Sequence, residues 1–227
     1  MKRLTLLFVV MLAFSFMSNI HAQRAIKKGT SLNLVIGFPS DTYGMEEDDV
    51  SNTNLGTIWG IQYGNRWYIA PTEKFGVAVM VNWIDFTFGL KSGTETIDLG
   101  VGPTVQTEWA RAVLDISLIE LGPLATFAIN DDMAIDGYYN LRPTIISSAL
   151  VRTTVSVSGD DTYGYAGFGF SHAIGAAFRW KVLNIGLEYV TGGINSSGAY
   201  TGPQGDGDLP DAKLRVNNVR LMLGVKF

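Results

Sequence analysis

The sequence predicts an all-β chain, a transmembrane up-and-down antiparallel β-barrel of eight strands, with ten as the alternative. Three observations lead there. Apolar residues recur at every second position along successive segments of the chain. Mean hydropathy is positive, yet beyond the N-terminus no stretch reaches the roughly 18 apolar residues of a spanning helix. The connections between segments alternate short and long, as periplasmic turns and outer loops do. A chain that is apolar on average but carries no spanning helix must spread its apolar residues by alternation. In lipid, only a closed sheet then bonds every backbone polar group.

Residues 1–22 read as a cleaved secretory signal of Sec type: Lys2 and Arg3, an apolar run from Leu4 to Phe16, and Ala22 before Gln23. That leaves 23–227 as a single barrel domain, without cysteine and so without disulfides. The chain has a net charge of −4, and loss of Lys2 and Arg3 takes it to −6. An acidic balance excludes the basic footprint that nucleic acid requires.

The strands follow in order. The first, Gly29 to Phe38, sets Leu32, Leu34, Ile36 and Phe38 against Ser31, Asn33 and Gly37. The second, Leu55 to Ile69, sets Trp59, Ile61, Tyr63 and Trp67 against Gly60, Gln62, Gly64 and Arg66. In the third, from Phe75, Val77, Val79, Val81 and Trp83 oppose Gly76, Ala78 and Asn82. Parity drifts in the fourth, Ala110 to Ile129, which predicts a bulge near Gly122-Pro123. Met133 to Ile145, Tyr165 to Trp180 and Leu183 to Val190 continue the alternation. The last strand, Leu214 to Phe227, carries Val219, Leu221, Leu223, Val225 and Phe227 on one face, read as a C-terminal assembly signal.

Short turns are expected at Ala70–Lys74, Asn130–Asp132 and Lys181–Leu183. Long outer loops are expected at Pro39–Asn54, Gly89–Trp109, Ser147–Gly164 and Thr191–Lys213. Within them, Thr96–Val105 and Leu150–Val157 read as loop hairpins or strand extensions above the membrane. The aromatics Trp59, Trp67, Tyr68, Trp83, Tyr139, Tyr163, Trp180 and Tyr189 are expected in girdles at headgroup depth.

The inward face carries charges of both signs: Arg111, Asp115, Glu120, Asp136, Arg142, Arg179, Glu188, Arg220 and Lys226. Two readings apply, an ion or proton path and a salt-bridge network that plugs the barrel, and the second is preferred. At eight strands the interior is just wide enough for side chains to fill. No catalytic, cofactor or metal residues are expected. His172 shares parity with lipid-facing Phe168 and Phe170, so its neighbour Ser171 points to the other face. The acidic stretches Glu46–Asp49 and Asp206–Asp211 read as solvated loops, the second lacking a calcium loop's distal glutamate.

The segment Ser117–Leu141 (SLIELGPLATFAINDDMAIDGYYNL), with Pro123, Phe127 and the Asn130-Asp131 turn, and the terminal strand NNVRLMLGVKF are similar to small outer-membrane β-barrel proteins. They resemble in particular the PorT-like group common in Bacteroidetes. The resemblance implies a Gram-negative cell envelope, outer-membrane lipids as surroundings, and passing contact with the barrel-assembly machinery. Non-enzymatic action through the outer loops, or as a structural or docking component with an unknown envelope partner, is the expected role. A narrow channel or a carrier for small hydrophobic molecules is the alternative; a lipid-modifying enzyme is the least favoured reading.

Overall fold

The computed structural model describes residues 26–44, 55–97, 105–154, 160–203 and 205–227. The expected signal, the acidic Glu46–Asp49 stretch and most of the first outer loop lie outside these, as do parts of Thr96–Val105 and Leu150–Val157. The strands are β1 Gly29–Pro39, β2 Ile58–Pro71, β3 Phe75–Ile97, β4 Val105–Ala128, β5 Met133–Thr154, β6 Asp160–Trp180, β7 Leu183–Thr191, β8 Gly193–Gly202, β9 Gly205–Arg215 and β10 Asn218–Lys226.

Eight of them close a ring in the order β5-β4-β3-β2-β1-β10-β7-β6, with β6 returning to β5. Every ladder in the ring is antiparallel. β8 adds to the upper part of β6, and β9 to β8. Only Gly192 separates β7 from β8, and only Val216 and Asn217 separate β9 from β10. The ten elements are therefore eight passes of chain, the last two broken at one level. Gly192 is needed at that break, because a Cβ there would sit 2.8 Å from the Ser171 Cβ and 3.0 Å from its backbone.

A row of opposed residues defines the tilt. It runs Thr30, Asn65, Val81, Leu121, Leu141, His172 and Thr191, then crosses by hydrogen bonds to Asn217 and Ser40. The row starts on β1 at Thr30 and returns ten residues further along the chain. Eight strands with that stagger tilt by about 40°. At that tilt the stretch from Phe168 to Trp180 on β6 rises roughly 30 Å, the thickness of a hydrocarbon core. Its outward side chains, Phe168, Phe170, Ile174, Phe178 and Trp180, are all exposed. So are Leu32 and Phe38 on β1, Ile185 and Leu187 on β7, and Val219, Leu221 and Leu223 on β10. An exposed apolar band this continuous suits lipid and not water.

Two expectations are corrected. The bulge in β4 lies at Leu118-Ile119, where Ile119 adopts φ 60°, and not at Gly122-Pro123. A partner irregularity lies directly across, at Trp83-Ile84 of β3. In each strand two consecutive apolar side chains face outward, and inward parity switches on passing them. The outer loops are also strand over more of their length than the extensions expected at Thr96–Val105 and Leu150–Val157. β3 with β4, β5 with β6, and β8 with β9 continue as paired extensions to Ile97, Thr153 and Gly202. Their outward positions turn polar above the belt (Ser92, Thr94, Glu108, Thr153, Asn195, Ser197), so the ladder runs on into water as a collar. The collar extends roughly 20 Å along β3, at about 3.3 Å per residue.

The aromatic residues do not all sit in girdles. Tyr68 and Tyr163 turn inward, and Trp83 lies at the bulge, donating to Asn65 Oδ1 at 2.6 Å.

Candidate functional site

Inward side chains fill the barrel in layers. Down β5 the order is Ile146, Arg142, Tyr138, Asp136, Ala134, each buried. Down β10 and the end of β9 it is Leu214, Arg220, Met222, Lys226. Apolar and charged levels therefore alternate. The upper apolar level packs Tyr43, Leu55, Ile58, Val113, Ile146 and Leu214. The lower one packs Val35, Ala78, Met80, Leu124, Tyr138 and Met222. A small third level joins Ala128 and Ala134, with Ile26 packed against them.

The first loop helps to close the top. Gly44 N donates to Arg215 O at 2.6 Å, and Tyr43 forms a parallel bridge to Arg215. The Tyr43 ring is thereby turned down into the lumen, where its hydroxyl donates to Asp115 Oδ2 at 2.7 Å. Arg111, above Val113, donates from Nη2 to the Tyr43 carbonyl.

Between the apolar levels lies a central charged level. Arg220 reaches Asp85 at 2.6 Å, Asp115 at 3.2 Å and Glu188 at 3.6 Å. Arg142 pairs with Glu120 through Nε, and Nη2 lies 3.3 Å from Asp85 and 3.7 Å from Asp115. Neutral groups complete the level. Asn82 donates to Glu120 at 2.7 Å, Tyr138 to Glu188 at 3.2 Å, and Gln62 to Asp85 at 3.3 Å.

The lower charged level centres on one acid. Asp136 accepts from Arg66 at 2.6 Å, from Arg179 at 2.6 and 2.9 Å, and from Thr126 at 2.6 Å. Tyr68 bridges Thr126 and Arg179 at 2.8 and 3.2 Å. Lys226 lies at the base, donating to the Lys27 carbonyl at 3.1 Å.

The inward charges expected from sequence thus divide in two. Asp115, Arg142, Glu188 and Arg220 belong to the central level with Glu120; Asp136 and Arg179 belong to the lower one. Arg111 lies above both and Lys226 below. Asp85, Arg66 and Tyr43 join them from outside the expected set of charges. Asp85 shares the parity of Trp83 and would face lipid but for the switch at Trp83-Ile84. Arg66 has inward parity in the sequence, the signal by which it could have been counted. Tyr43 belongs to a loop and carries no periodic signal.

Outside the lumen, His172 lies on the outer face with its Nδ1 2.6 Å from the Tyr139 hydroxyl, the rings stacked at 5.9 Å. Ser171 faces inward, 2.7 Å from the Thr144 hydroxyl, so the two neighbours cannot act as a nucleophile and base. Val219, Leu221, Leu223, Val225 and Phe227 share the outer face of the last strand. On the collar's inner face, Tyr200 donates to Asp161 at 2.5 Å and packs on Tyr163 at 5.3 Å. The Asp161 carboxylate, by holding the neutral phenol, pushes the Tyr200 hydroxyl up to about 12. Among the described residues no group of three or more His, Cys, Asp or Glu is set to hold a metal.

The molecule is a closed eight-stranded up-and-down barrel with an apolar outer belt and a layered, packed lumen. No family model matches the chain, and no curated protein matches it. Among solved structures it is similar to Ail, the attachment invasion locus protein of Yersinia pestis, in complex with the heparin analogue sucrose octasulfate. That pair is 13% identical over 88% of this chain and 97% of the other, with a TM-score of 0.39. A second Ail structure gives 11% identity over the same shares and a TM-score of 0.35. A Rhodopseudomonas blastica porin variant gives 7% identity over 88% of this chain and 99% of the other, with a TM-score of 0.16. At these values the fold rests on the chain's own strand ladders.

Proposed function

We propose that the chain is an integral outer-membrane protein of a Gram-negative envelope that acts non-enzymatically through its collar, docking or adhering at the cell surface. One observation carries this reading: the stem is filled and the protrusion is built. Apolar levels bracket the charges, which gives ions no wet axial path, while three paired extensions stand beyond the belt. Order in a long extracellular segment costs chain entropy, and strands extended past the bilayer offset that cost with ladder hydrogen bonds. The Ser117–Leu141 segment supports a PorT-like assignment. The outward alternation of Val219 to Phe227 supports a role in recognition by the barrel-assembly machinery.

The protein refolded into planar bilayers should be electrically silent, and an unboiled sample should migrate differently from a boiled one on a gel. Steady single-channel conductance would instead establish the narrow-channel reading. Removal of residues 193–212, the outer hairpin, should leave the heat-dependent mobility in place and abolish surface attachment of cells that carry the protein.

A further inference from the structure

We propose that the central charged level is a proton-binding site, holding two protons in the folded barrel at neutral pH. Four carboxyl groups, Asp85, Asp115, Glu120 and Glu188, face two guanidiniums, Arg142 and Arg220, and none of the six is more than 1% exposed. As ionised groups they would leave two negative charges uncompensated in a chamber closed above and below by apolar side chains, which low-dielectric burial strongly disfavours. Asp85 and Glu120 also share one guanidinium, since Arg142 pairs with Glu120 through Nε while its Nη2 lies 3.3 Å from Asp85.

Neutral groups in the same chamber lack partners too. Thr87 lies directly opposite Asp115, is 1% exposed, and its hydroxyl finds no hydrogen-bond partner among the described residues; both side-chain amide atoms of Asn140 are buried and likewise unpartnered among them. Among the described residues, Asp85 Oδ1, Asp115 Oδ1 and Glu188 Oε1 have no hydrogen-bond donor. A proton fits this arrangement better than a metal ion. Arg220 already bridges Asp85 and Asp115, so a metal between those acids would meet a guanidinium at close range.

The groups that face the cluster come from every side: Asp85 from β3, Asp115 and Glu120 from β4, Tyr138 and Arg142 from β5, Glu188 from β7, Arg220 from β10 and Tyr43 from the first loop. Each uptake step converts a carboxylate and a solvent proton into a carboxylic acid. The unfolded chain releases those protons at neutral pH, so the folded state binds more of them. Stability then falls as pH rises from the ordinary carboxylate range, through neutrality, to the pH at which the folded site gives its protons up.

Infrared spectra of the full-length mature chain refolded in detergent micelles test this at neutral pH. A protonated-carboxyl carbonyl band should be present in the folded protein and absent in urea. It should weaken in Glu120→Gln and in Glu188→Gln and persist in Glu108→Gln, a collar control, with gel mobility showing that each variant closes its barrel. Refolding in weakly buffered solution should take up about two protons per chain, by the charge balance above. Absence of the band from folded wild type would overturn the proposal. So would stability that depends on added sodium or calcium with no such band.

Discussion

The two charged levels of the lumen use the same residue types in the same wall, yet they are built on opposite balances. At the lower level one acid serves two guanidiniums, and both Asp136 oxygens are bonded twice. At the central level two guanidiniums serve four acids, and three carboxyl oxygens lack donors among the described residues. An interior ion pair is therefore a rivet only where donors meet acceptors in full. Where they do not, the surplus must be met by something smaller than a side chain.

Substitutions should separate the two levels. Asp136→Asn leaves Arg66 and Arg179 facing each other without an anion and should cost about 3–5 kcal/mol, the range for breaking a buried pair. A urea titration followed by gel mobility would measure it, and a loss near zero would erase the contrast between the levels. Tyr43→Phe removes a hydroxyl donor from a charged acceptor and should cost about 2 kcal/mol. It should also loosen the first loop, visible as faster amide exchange at Gly44. Glu188→Gln removes one of the surplus acids and should change stability by no more than about 1 kcal/mol at neutral pH, since the neutral amide stands in for a protonated carboxyl and keeps an acceptor for Tyr138. The smallest effect belongs to the collar, where water reaches the pair. Asp161→Asn should bring the Tyr200 phenol down from about 12, because the charge that disfavours phenolate is gone. An alkaline absorbance titration, with Tyr200→Phe to assign the step, would read it.

How far the fold was legible depends on where alternation has a physical cause. In β1, β2, β5, β6, β7 and β10 each side chain meets either lipid or a filled lumen, so parity in the sequence matches parity in the wall. In β3 and β4 the rule fails at Trp83-Ile84 and Leu118-Ile119, since two neighbouring apolar residues look the same whether the strand is regular or bulged. Asp85 was lost for that reason. The collar was legible only in part, as the strand extensions read at Thr96–Val105 and Leu150–Val157, and for another reason. Above the belt neither face is lipid, so Thr, Ser, Gly and Tyr serve both sides, and a water-exposed strand reads like a loop. The division of lumen charges into two levels was hidden too, because depth depends on tilt, and tilt on how the ring closes.

That closure has a practical side. Because the opposed row begun at Thr30 meets the chain again at Ser40, one residue past β1, the wall winds like a staircase. Residues at one height above the membrane midplane belong to successive steps and are not hydrogen-bonded neighbours. Spin labels or quenchers placed along a single ladder row would report a steady climb through the bilayer, and depth maps of this protein should be indexed by that spiral.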